Sequence, residues 1–218
     1  MQPWFSPLIV FWLRHGGVYA LANVRGGGEF GEDWHQAGAL TRKQNVFDDF
    51  VASAEYLVGQ GYCATERLAI AGGSNGGLLM AAALVQRPDL FKAVVSHVGI
   101  YDTLRVELSP NGAFSVNEFG SVKNAAQFKA LHTYSPYHRV VDGTDYPAVM
   151  RLTGANDGRV EPRQSLKMAA RLQAAAKGRP VLLRMAGDAG HGLDMALPSL
   201  IEQEADVFAF LFDQLGMQ

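Results

Sequence analysis

Leu68-Ala69-Ile70-Ala71-Gly72-Gly73-Ser74-Asn75-Gly76-Gly77-Leu78-Leu79-Met80-Ala81-Ala82-Ala83-Leu84 is the stretch that decides the fold. A short apolar run leads into a G-x-S-x-G pentapeptide, and a helix-forming run follows it at once. Strand, tight turn and helix in that order make a nucleophile elbow. The flanking glycines leave room where strand and helix come together, and the serine Oγ is held out above the helix N-terminus. The amino end of that helix can share in stabilising a developing oxyanion.

A serine hydroxyl needs a histidine to take its proton and a carboxylate to hold that histidine in one tautomer. On a strand–elbow–helix scaffold the chain order is Ser, then Asp or Glu, then His. Downstream of Ser74 stand His97, His132, His138 and His191. His191 is the one in a glycine-flanked loop after a late strand, in Ala186-Gly187-Asp188-Ala189-Gly190-His191-Gly192. His97 ends the strand Ala93–His97 and reads as structural, while His132 and His138 lie in a polar, tyrosine-rich stretch and read as surface residues. For the acid, Asp157 follows the strand-like Ala148–Thr153 one unit before the histidine loop. Asp142 and Asp145 fall at the wrong end of that strand, and Asp188 and Asp194 are too close to His191 in sequence. The expected triad is Ser74, Asp157 and His191.

Along the chain, apolar strands alternate with helical patterns, which predicts a mostly parallel sheet covered by helices on both faces. A helix-like Leu8–Leu13 precedes a strand Val18–Asn23 and a helix Val46–Val58. Then come strand 68–71, the elbow helix, strand 93–97, an irregular aromatic-rich segment 100–140, strand 148–153, helix 162–176, strand 181–185 and a helix near 198–215. That makes five or six strands.

The 218 residues fit a single domain spanning 1–218, and a hydrophobic content of 48% is ample for a core. A net charge of −2 gives no electrostatic case for nucleic acid. The single cysteine, Cys63, excludes an internal disulfide and a cysteine metal cluster. Leu8–Leu13 is too short to span a membrane, and the N-terminus lacks a basic n-region, so a cytoplasmic protein is expected. No cofactor is expected: there is no His-x-x-x-His, and Gly26-Gly27-Gly28 is not followed by a helix start at the right place for a nucleotide fingerprint in a βαβ unit.

Several longer motifs carry a family resemblance. Val24-Arg25-Gly26-Gly27-Gly28-Glu29-Phe30-Gly31, Trp34-His35, Lys43-Gln44-Asn45 and Phe47-Asp48-Asp49-Phe50 resemble the catalytic domain of prolyl oligopeptidases. So do the elbow, Gln86–Phe91, Tyr134-Ser135-Pro136 and Ala189–Gly192. The similarity runs from about Pro7 to the last helix. It implies an α/β-hydrolase fold and a serine peptidase that cuts after proline in short peptides. By the same resemblance Ser74, Asp157 and His191 fall on the family's triad, and Asn75 supplies a backbone oxyanion donor. Arg159 falls on an arginine that binds a substrate carbonyl; from the residues alone it reads as a surface ion-pair former. Phe114 and Phe119 fall where the family places an aromatic wall for the proline ring, with Phe114 replacing the usual tryptophan.

Two features of the family have no counterpart here: an upstream Tyr-Gly-Gly-Phe-type segment that supplies a second oxyanion donor, and a gating β-propeller. The resemblance is therefore to an N-terminally shortened α/β-hydrolase, whose open sheet edge predicts a homo-oligomer. His15-Gly16-Gly17 invites an oxyanion-loop reading, but glycine-rich stretches of this kind usually make turns. Three functions compete: a proline-directed peptidase, a carboxylesterase acting on small acyl esters with the same triad, and an inactive binding module.

Overall fold

The computed structural model describes residues 5–192 and 195–217. Asp194, weighed above as a local acid, lies outside the described residues. Four strands, β1 (Ala69–Gly73), β2 (Ala93–His97), β3 (Ala148–Gly154) and β4 (Val181–Ala186), form one sheet in the order β1-β2-β3-β4. Every neighbouring pair is parallel. Parallel neighbours need crossovers, and helices supply them. The elbow helix α4 (Asn75–Gln86) follows β1, and α8 (Arg163–Ala175) joins β3 to β4.

Alternation along the strands sends side chains to two cores. Val94 and Val149 face the helices on one side, where Met80, Ala81 and Leu84 of α4 meet Met168 and Leu172 of α8. Ala93, Val95, Met150 and Leu152 face the other, against Val207, Phe210 and Leu211 of α9 (Leu197–Leu215). All seven residues of β3 are buried, as expected of an inner strand covered on both faces. Arg151 of β3 is fully buried, and its guanidinium lies 4.2 Å from the centre of the Tyr101 ring.

The amino-terminal helix is α1 (Pro7–Arg14), capped by the Ser6 side chain with proline at its start. It packs on the last helix through Phe11, whose ring centre is 4.7 Å from that of Phe208. His15 caps α1, its Nδ1 is 2.8 Å from the Phe11 carbonyl oxygen, and its ring packs 5.4 Å from Phe212. It belongs to the α1–α9 contact and to no oxyanion loop.

Two expectations are corrected. Val18–Asn23 is not a strand: it pairs with no strand among the described residues, and Val18 is 67% exposed. β-prone residues become a strand only when a neighbour takes up their backbone hydrogen bonds. The sheet therefore has four described strands, not five or six. Segment 100–140 is not irregular either. It carries α5 (Gly112–Phe119), α6 (Ala125–Tyr134) and α7 (Pro136–Arg139), and with α3 (Gln44–Gly59) and α4 it builds a third core around Phe47, Leu78, Phe119, Leu131 and Tyr134. Helices of four to ten residues are too short for a helical period to stand out in sequence. No described helix is long and apolar enough to cross a membrane.

Candidate active site

Ser74 lies between β1 and α4 at φ 56°, ψ −116°, a conformation that costs energy for any residue with a Cβ. The strain is held in place from both sides. Ser74 N–H donates to the His97 carbonyl at 2.9 Å, and the first turn of α4 closes with Leu78 N–H on the Ser74 carbonyl. A Cβ at Gly72 would sit 2.9 Å from the Gly76 carbonyl oxygen, so glycine is required there. Gly76 has open space around it, and the second tight position is Gly77, where a Cβ would meet Gly99 Cα at 2.7 Å. The steric demand therefore falls on Gly72 and Gly77, one of them outside the pentapeptide.

His191 reaches the serine from the loop after β4: its Nε2 is 3.0 Å from Ser74 Oγ. Its Nδ1 is 2.8 Å from Asp157 Oδ2. Asp157 is 4% exposed, and its other oxygen accepts from the Arg159 and Val160 backbone N–H groups at 2.9 and 2.8 Å. One carboxylate oxygen is thus fixed by its own loop, and the other is left for the imidazole. The loops that carry Asp157 and His191 are joined edge to edge. Ala155 N–H donates to the Ala186 carbonyl, and Asn156 N–H to that of Ala189. Gly154 makes this approach possible, because a Cβ there would lie 2.2 Å from the Gly190 carbonyl oxygen. Serine, histidine and carboxylate in this relation can move a proton off the hydroxyl as it attacks a carbonyl and return it to the leaving group.

Asn75 is the first residue of α4, where backbone N–H groups have no intrahelical acceptor and the helix dipole is positive. Its side chain donates to Glu118 at 3.1 Å. Arg159 is exposed, and only its backbone is engaged with Asp157. The aromatic pair separates: Phe114 is 86% exposed, whereas Phe119 is 4% exposed and sits beneath Lys43 Nζ, 5.1 Å from its ring centre. Phe114 offers a face to solvent; Phe119 is withdrawn into the core with Phe47, Leu131 and Tyr134. His97 lines a cavity of about 190 Å³ together with His191, Thr153, Gln203 and Glu204. Burial pushes the His97 imidazole down to about 4 and Glu204 up. His132 and His138 lie with Arg139 and Ser135, apart from the triad.

Glu118 lies in no motif of the sequence, and His35 and Lys43 stand only in segments that carry the family resemblance. All three meet beside Asn75. Nothing local marks Glu118, because its partners are 43 to 83 residues away.

The model of the prolyl oligopeptidase family matches residues 3–218. A prolyl endopeptidase from Elizabethkingia miricola is 41% identical over 220 residues, all of this chain and 31% of the relative. One from Dictyostelium discoideum is 42% identical, over 96% of this chain and 28% of its own length. A solved prolyl endopeptidase superposes with a TM-score of 0.96 at 47% identity, covering 98% of this chain and 32% of that one. Prolyl oligopeptidase B from Galerina marginata, solved with a 35-residue hydrolysis and macrocyclization substrate, superposes with a TM-score of 0.94 at 35% identity. The chain spans about a third of the length of these relatives.

Proposed function

Because the chain belongs to the prolyl oligopeptidase family, whose model matches residues 3–218 and whose fold it shares, we propose that it is a serine peptidase of α/β-hydrolase fold that cleaves after proline in short peptides. Ser74 Oγ attacks the scissile carbonyl carbon, and its proton passes to His191 Nε2. Asp157 holds the imidazole tautomer and offsets the positive charge that forms. The Asn75 backbone N–H donates to the oxyanion. Breakdown expels the amine, which takes the proton from His191 and leaves an acyl-serine that water hydrolyses by the same path in reverse. Arg159, exposed beside the acid, binds a substrate backbone carbonyl, and Phe114 presents its ring to the proline.

The observation that carries this reading is the unbroken run Ser74 Oγ–His191–Asp157, at 3.0 and 2.8 Å, assembled from three loops at the carboxyl ends of β1, β3 and β4. A second reading, a carboxylesterase for small acyl esters, rests on the same Ser74–His191–Asp157 run, whereas Arg159 and Phe114, exposed beside it, favour the peptidase. Esters carry a better leaving group and need less oxyanion stabilisation than amides.

Hydrolysis of a short-chain p-nitrophenyl ester and of a blocked Gly-Pro chromogenic amide, with Ser74→Ala as the blank, separates the two. The peptidase reading expects turnover of both, abolished in Ser74→Ala. Ester turnover without amide turnover leaves the esterase standing, and silence on both ends the catalytic reading.

A further inference from the structure

Glu118 lies on α5 one helical turn beyond Phe114, so the two share a stripe of that helix. Its carboxylate gathers donors from three other places in the chain. Oε1 accepts from Lys43 Nζ at 2.6 Å and from Asn75 Nδ2 at 3.1 Å, and Oε2 is 3.1 Å from His35 Nε2. His35 belongs to α2 (Glu32–Gln36), Lys43 precedes α3, and Asn75 opens α4 immediately after Ser74.

The cluster is not a casual surface pairing. The Lys43 side chain is 2% exposed and that of Glu118 23% exposed. Burial pushes the Lys43 ammonium down, against the pull of Glu118. Burial also works against the Glu118 carboxylate, yet Lys43, His35 and Asn75 together bring it below its ordinary range. Desolvating such a pair costs free energy that the pairing only partly returns, so its placement calls for a reason beyond stability. The place is telling: the carboxylate grips the residue next to the nucleophile through its side chain, leaving that residue's backbone N–H for the oxyanion.

We propose that Glu118 is a positioning residue that clamps α5, and with it the exposed Phe114 ring, to the nucleophile elbow through Asn75, with Lys43 and His35 as its brace. The clamp fixes two things relative to Ser74 Oγ: the Asn75 N–H and the aromatic face. It rests on Ser74 acting as nucleophile, and it adds the residue that couples substrate recognition to the elbow. Substrates that use the aromatic face and have a poor leaving group depend on it most. A small acyl ester depends on it least.

The test compares Glu118→Gln, Asn75→Ala and the double variant with the wild type. Glu118→Gln keeps the shape and loses the charge. Asn75→Ala keeps the backbone N–H and loses the tether, and it carries the test alone if Glu118→Gln does not fold. Rates are measured on a blocked Gly-Pro p-nitroanilide and on p-nitrophenyl acetate, with fluorophosphonate labelling to count assembled serine–histidine pairs.

The clamp expects each single change to lower kcat/KM for the amide about tenfold, the size of one charge-assisted hydrogen bond, mainly in kcat. The acetate changes much less, labelling stoichiometry holds, and the double variant is no worse than the poorer single one. Equal losses on both substrates that track thermal stability would reduce Glu118 to scaffold and overturn the proposal; so would unchanged rates or additive losses. If the wild type takes no label, it is the nucleophile reading that fails. The clamp is then judged by hydrogen exchange: Glu118→Gln must speed exchange in residues 112–119 and 75–79 relative to 163–175, and uniform exchange overturns it.

Discussion

At the scale of single residues, the site is a set of groups whose neighbours decide what they can do. Asp157 has one oxygen satisfied by backbone donors and one given to His191, so its orientation is set before any substrate arrives. His97, one strand away, is held neutral by burial at about 4, against an ordinary value of 6.5. A histidine depressed in the folded state takes up its proton more readily when unfolded. The stability tied to it is therefore whole above about pH 6.5 and drains as pH falls towards 4, by about 3 kcal/mol over that window. Glu204, in the same cavity, is raised and acts in the opposite sense, so the comparison has to isolate residue 97. Thermal melts of wild type and His97→Asn between neutral pH and pH about 4.5 should show the wild type losing more stability; parallel curves would remove His97 from the account. In sequence His97 and His191 differ only in their settings, one ending an apolar strand and one flanked by glycine.

At the scale of elements, the decisive contact is between the carboxyl end of β3 and the loop after β4. Gly154 lets the two backbones meet, and the Ala155 and Asn156 N–H groups bond across the gap. Gly154→Ala puts a methyl group against the Ala189 and Gly190 carbonyls, neither of which can rotate away as a side chain could. The loop that carries His191 must then shift. A displacement of about 1 Å at a catalytic group costs on the order of 10²-fold in rate. Fluorophosphonate labelling of Ser74 should slow by about that factor in Gly154→Ala, and wild-type labelling kinetics would show that the loop has another way to accommodate the methyl. The strands and long helices were legible in sequence to within a residue or two because their apolar periods are long enough to read. The short helices α5, α6 and α7 were not, and neither was the failure of Val18–Asn23 to join the sheet, because a strand is defined by a partner that no local pattern reveals.

At the scale of the whole molecule, β1 is an edge of the sheet among the described residues, and its alternate residues Ala71 and Gly73 are exposed. Val18, Tyr19 and Leu21, at 67%, 47% and 49% exposure, add apolar surface in the segment without regular secondary structure after α1. Unpaired strand edges and exposed apolar chain are templates for another chain. We expect copies of this chain to associate through these surfaces. Light scattering across a dilution series should show mass rising with concentration, and Leu21→Lys should lower the concentration dependence. A monodisperse monomer throughout would count against association.

The sequence by itself determined the parallel α/β architecture and the tight strand-to-helix turn at Ser74, and it singled out Asp157 and His191 as the candidate acid and base that the fold brings beside that serine. Each is written in local pattern: a period, a glycine turn, an order along the chain. Tertiary structure alone decided which glycines are obligatory, that Phe114 is presented while Phe119 is withdrawn, and that Glu118 joins His35, Lys43 and Asn75 at one carboxylate. Those facts depend on which surfaces meet once the helices have packed. Contacts between residues 43 to 83 positions apart are set by the shape of the folded core and leave no trace in any window of sequence.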